Sequence, residues 1–122
     1  MGQVGLREGM MKRAVPLGVA TILLAQPAVA KDTRFWNLTA STVKSLEFAP
    51  AGTSAFGPNQ TPNDPDGEVD HDERLKVTGV KAGAYDARLK LADGRQCMAK
   101  GVQIEAGKVF AIEEKELVGC SK

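Results

Sequence analysis

The chain has 122 residues, a formal net charge of +1, one His, one Trp and two Cys. That length allows a single small domain, and the absence of a basic stripe excludes a nucleic-acid binder of the electrostatic kind. One His and two Cys are too few soft ligands for a structural zinc site.

Residues 1–30 read as an export signal. Met11-Lys12-Arg13 is a basic start, Ala14 to Ala25 is an apolar run of signal-core length, and Ala28-Val29-Ala30 is a small-x-small cleavage site. Residues 1–10 precede a signal that is already complete and contain Glu8, so the start reads as over-extended, with Met10 or Met11 as the first residue. The apolar run is short for a membrane span, no Cys stands at the cleavage site, and Arg13 has no Arg neighbour for twin-arginine export. The expectation is a periplasmic domain over residues 31–122, with no membrane attachment after cleavage. From Lys31 onward 13 Lys and Arg face 14 Asp and Glu, a net charge of −1.

In chain order, Arg34 to Thr39 and Val43 to Ala49 read as strands. Pro50 to Gly67 carries Pro50, Pro58, Pro62 and Pro65, a density of breakers that excludes a regular element. Leu75, Val77 and Gly79 then alternate with polar residues. Tyr85, Ala87, Leu89 and Leu91 alternate with Asp86, Arg88 and Lys90, the clearest half-buried strand in the chain. Asp93-Gly94 predicts a type I′ hairpin, with the return strand from Arg95 through Val102 or Ile104. Ala106-Gly107-Lys108 makes a turn before a strand over Val109 to Ile112. Glu113 to Glu116 fits either a strand end or one helical turn. The predicted fold is all-β, a small antiparallel β-sandwich or open barrel of six to seven strands.

Cys97 and Cys120 form an even pair, which in an oxidising compartment predicts a disulfide. It would tie the end of the chain to a central strand.

The feature that suggests chemistry is the loop over residues 63–73. Asp64, Asp66, Glu68, Asp70 and Asp72 alternate, and Glu73 follows directly. Packing like charges this densely is costly unless a cation neutralises them. Ca²⁺ and other hard cations take six to eight oxygens on a flexible backbone. Spacing by two sets successive side chains on one side of an extended chain, and Gly67 permits a bend. Aligned with the EF-hand, Gly67 takes the sixth position, Asp64, Asp66, Glu68 and Asp70 the third, fifth, seventh and ninth, and Glu73 the twelfth. The first position falls on Pro62, and the prolines exclude the entering helix. The charge count favours a trivalent lanthanide over Ca²⁺, and Mg²⁺ fits poorly because it keeps its waters. His71 reads as a surface residue within the run.

No Ser or Cys has a plausible His base, and no glycine-rich phosphate loop is present, so the expectation is a protein that is not an enzyme. Trp36, Phe56 and Phe110 read as core or loop-anchoring aromatics. A charge run is also, more simply, a solvated face. The rival reading is therefore an envelope interaction module whose acidic loop docks on a basic periplasmic partner.

The succession Phe48-Ala49-Pro50-Ala51-Gly52-Thr53, Phe56-Gly57-Pro58-Asn59, Tyr85-Asp86-Ala87-Arg88-Leu89 and Asp93-Gly94 resembles small exported proteins of alphaproteobacteria. With the acid-rich loop and exported size, it is also similar to the landiscernin family, periplasmic lanthanide chaperones of methylotrophs. That resemblance implies binding and delivery of light lanthanides and a homodimer formed around the metal. It assigns no ligand in this sequence.

Overall fold

The computed structural model describes residues 31–122; the predicted signal over 1–30 lies outside them. Seven strands follow the alternation of the sequence. They are β1 (Thr33–Leu38), β2 (Val43–Pro50), β3 (Arg74–Val77), β4 (Gly83–Leu91), β5 (Gln96–Ile104), β6 (Val109–Glu113) and β7 (Val118–Ser121). Single 3-10 turns stand at Thr61–Asn63 and Glu114–Glu116. No described helix is long and apolar enough to cross a membrane.

Two sheets pack face to face. One has the order β3-β1-β6, the other β2-β4-β5-β7. Every pairing is antiparallel except β1 with β6, which run parallel and set Phe35 beside Phe110. The architecture is thus the open two-sheet form that the alternation predicts, with one parallel pair added. Alternate residues of each strand enter the core, as a period of two requires. Leu46 and Leu89 face each other in register across β2 and β4, and both are fully buried. Phe110 spans the two sheets, with its ring 5.9 Å from Phe35 and 5.7 Å, edge-on, from Phe48. Such aromatic pairs add about 0.5–1.5 kcal/mol each beyond their burial.

Several turns differ from the expectation. The hairpin after β4 is not type I′, because that turn needs positive φ at both central residues and only Gly94 (φ 95°) has it. Instead Leu91 N–H donates to Arg95 O at 2.8 Å and Gly94 N–H to Leu91 O at 3.0 Å. These bonds define a three-residue loop, Ala92-Asp93-Gly94, with glycine in the left-handed position. Gly79 falls outside β3, at φ 72°. Glu114–Glu116 takes the helical alternative, fixed by Glu114, whose carboxylate accepts from Ala40 N–H (2.8 Å) and from Arg95 (2.7 Å).

The proline-rich segment has a job the sequence did not reveal. It covers the outer edge of β2. Gly57 N–H donates to Phe48 O, Asn59 Oδ1 accepts from Leu46 N–H, and Gln60 N–H donates to Leu46 O, all within 2.9 Å. An uncovered edge would invite pairing with other chains; here an irregular segment satisfies its backbone groups without forming a strand.

The cysteines are joined as predicted. Cys97 on β5 and Cys120 on β7 are bonded across neighbouring strands, with Cα atoms 4.1 Å apart. No residue of β7 is buried, so this strand depends on its ladder with β5 and on the covalent link.

Candidate functional site

The acidic segment is a strap lying across the β1–β2 end of the sandwich. Its fixed point is Val69, which is fully buried and exchanges two backbone bonds with Val43, 2.8 and 2.9 Å long. The buried Asn37 side chain adds a third anchor, donating to Val69 O at 2.8 Å and to Ser41 O at 2.9 Å, while its Oδ1 accepts from Thr39. Every polar group of this amide is satisfied, as burial demands.

Either side of Val69 the chain turns. Asp64 O accepts from Gly67 N–H (3.0 Å), with Gly67 at φ 75°, and Asp64 Oδ1 accepts from Asp66 N–H (3.0 Å). Gly67 therefore supplies the expected bend. The second turn runs from Asp70 to Glu73. Glu73 N–H donates to Asp70 O, and the Glu73 carboxylate accepts from Asp70 N–H at 2.8 Å. Asp72 occupies its left-handed corner at φ 71°, the only described non-glycine residue with positive φ. Asp tolerates this region better than most residues, because its short polar chain bonds locally.

These turns distribute the carboxylates. Glu68 pairs with Lys44 Nζ at 3.0 Å. Asp70 Oδ1 accepts from the Thr42 hydroxyl at 2.9 Å. Asp72 Oδ1 accepts from Trp36 Nε1 at 2.9 Å, and Arg74 stacks on the same indole, 4.2 Å from its centroid. Asp64 and Asp66 are brought together, and Asp66 holds its proton more tightly than an ordinary aspartate. The causes are its hydrogen bond to Asp64, then the Asp64 charge, with Glu73 and Asp70 adding to the field. The His71 Nδ1 lies 2.7 Å from Thr39 O. A carbonyl only accepts, so Nδ1 carries the proton and Nε2 has no described partner.

The carboxylates are engaged one by one with separate partners. Val69 enters the core between Glu68 and Asp70, and the two turns swing their neighbours to separate partners. Among the described residues no three His, Cys, Asp or Glu side chains form a group that could hold a metal ion. The donor types still suit a hard cation, being carboxylate oxygens on a surface loop. Trp36, Thr42 and Lys44 hold the strap; the sequence pointed only to Trp36, as a core or loop-anchoring aromatic, and to no partner for it. They lie 24 to 36 positions upstream of their partners, where no spacing rule reaches.

The motifs that carry the family resemblance have structural roles. Asp86 is buried on β4, and its carboxylate accepts from Gly52 N–H at 2.9 Å and Gly101 N–H at 3.1 Å. These two bonds, Gly52 first, hold its pKa below the ordinary range. Arg88 pairs with Glu47 at 2.8 Å and lies over the Phe56 ring at 4.0 Å. No family model, curated protein or solved structure matches the chain.

Proposed function

We propose that the protein is a periplasmic, non-enzymatic binding protein that takes up a hard cation, a lanthanide or Ca²⁺, on the Asp64–Glu73 strap. The observation that carries this reading is the Asp64–Asp66 pair, whose charges are held together under the added field of Asp70 and Glu73. A carboxylate that resists ionisation because of its neighbours gains when a polyvalent cation takes the proton's place. A trivalent ion gains more than a divalent one of similar size, which puts lanthanides ahead of Ca²⁺. The ion would begin on Asp64 and Asp66 with water filling its shell. Glu68, Asp70, Asp72 and Glu73 would join only by exchanging their present partners, and a second copy could supply the oxygens still missing.

The single Trp provides the test. Trp36 bonds directly to the strap, so Tb³⁺ bound there should emit when the indole is excited. Saturable emission at one ion per chain or per dimer, competed by Nd³⁺ and less well by Ca²⁺, supports the reading. Emission no greater than that of free Tb³⁺ overturns it.

One observation favours the adaptor reading instead. Five of the six carboxylates already have protein partners, which holds the strap in shape as a ready anionic face. In that case metal leaves the protein unchanged, and salt abolishes capture of a basic partner.

A further inference from the structure

A groove of about 330 Å³ opens where the β2–β4 sheet meets the segment after β3. None of the strap's carboxylates lines it. Its walls include Phe48, Pro50, Pro58, Val80 and Tyr85, with Phe48 and Tyr85 set edge to face at 6.3 Å. The volume lies within the range of small-molecule sites, which are mostly apolar with a few placed polar groups. The wall is braced: Tyr85 OH donates to Lys81 O at 2.8 Å, and the Gln60 side chain grips both backbone groups of Thr78 at 2.9 and 3.0 Å. These polar atoms are therefore committed to the protein and do not select a ligand. The exception is the Lys81 ammonium. Lys81 is exposed, is the one charged residue lining the groove, and pairs with no described carboxylate.

We propose that this groove binds a small aromatic carboxylate, with its ring between the prolines and Tyr85 and its charge on Lys81. Proline and tyrosine faces suit a flat ring. A lone cation at an apolar site favours a monoanion over a neutral or cationic compound. Glycine at position 57 leaves room in the wall, since a Cβ there meets only Phe48 O at 3.7 Å.

The test uses 2-naphthoate as probe and the neutral 2-naphthylmethanol as its control, followed by NMR shifts of the folded chain. Naphthoate should move the signals of Val80, Lys81 and Tyr85 saturably. Lys81→Gln should weaken naphthoate about three- to fivefold, the scale of an exposed ion pair, and leave the alcohol unchanged. Gly57→Val should weaken both compounds while keeping the folded spectrum. Asp66→Asn should change neither, which separates this site from the strap. No saturable shifts at millimolar naphthoate, or equal binding by wild type and Lys81→Gln, overturns the proposal.

Discussion

Trp36 donates its indole N–H to two oxygens of Asp72, the carboxylate Oδ1 at 2.9 Å and the backbone carbonyl at 3.2 Å. One side chain on β1 thus holds the corner of the strap where the backbone is left-handed. Asn37 O receives Asp72 N–H at 2.7 Å, so consecutive residues of β1 grip the same corner. Trp36→Phe keeps most of the ring and removes the donor. It should cost about 1 kcal/mol, as expected for an exposed bond to a charged group. Faster hydrogen exchange at the amides of Asp72 and Glu73, with the core amides unchanged, would locate the effect in the strap.

Asp66→Asn combined with Asp70→Asn removes charge from the strap and keeps oxygen donors. On the cation reading it should weaken Tb³⁺ much more than Ca²⁺, because the trivalent ion depends more on charge. Asp93→Asn is the control. Asp93 caps its own hairpin through Arg95, at 2.9 Å, so its loss should lower stability and leave metal affinity alone. Titration calorimetry of the three proteins separates these outcomes. A double mutant that binds as tightly as wild type removes the strap from consideration.

Acid should destabilise the fold below the ordinary carboxylate range. Asp86, Asp93 and Glu114 all have lowered pKa values, through Gly52 N–H for the first and Arg95 for the other two. A depressed folded pKa means the unfolded chain binds the proton more readily. The stability from these groups is complete above their unfolded pKa, about 4, and is lost as pH falls through the folded value. Asp66 has the opposite sign, since protonation relieves its repulsion. Asp86→Asn should flatten the acid limb of a stability–pH curve, whereas Asp66→Asn should raise stability at neutral pH and shrink the gain that wild type shows on mild acidification.

Reduction of the disulfide, or Cys120→Ser, removes a cross-link between positions 23 apart. The loss should be roughly 3 kcal/mol. In a domain of this size each kilocalorie shifts the thermal midpoint by about 4–8 °C. Because β7 buries no residue, its amides should lose exchange protection first, before those of β5. Free thiols in the oxidised folded protein would contradict the pairing.

Phe110→Ala should be strongly destabilising. The ring contacts aromatic partners in both sheets, and a Phe-to-Ala change in a core costs about 3–5 kcal/mol. Denaturant unfolding with an unchanged slope would show a pure stability effect.

The strands were legible where one face is buried and the other wet. β4 shows this best: Ala87, Leu89 and Leu91 are buried, with Arg88 and Lys90 more exposed. β7 was not legible as a strand because it buries neither face, leaving no alternation in Val118-Gly119-Cys120-Ser121. The parallel neighbour of β1 was also out of reach, since alternation sets which face a strand buries and says nothing about which strand lies beside it. In the strap, the charge was plain and its distribution was not. Val69 is one apolar residue among acids, and its burial decides which way each neighbouring carboxylate turns.

The parallel pairing of β1 with β6 also fixes an order of events. The first described strand gains one of its two neighbours only when Val109–Glu113 is available, near the opposite end of the domain. Contacts of such long sequence separation form late and slowly, because the intervening chain must be closed into a loop before they give anything back. A nascent chain therefore holds Phe35 without Phe110, and its three-stranded sheet cannot be completed. The topology delays completion of this sheet until almost the whole domain is available, so a chain shortened before Val109 would leave Phe35 without its partner ring.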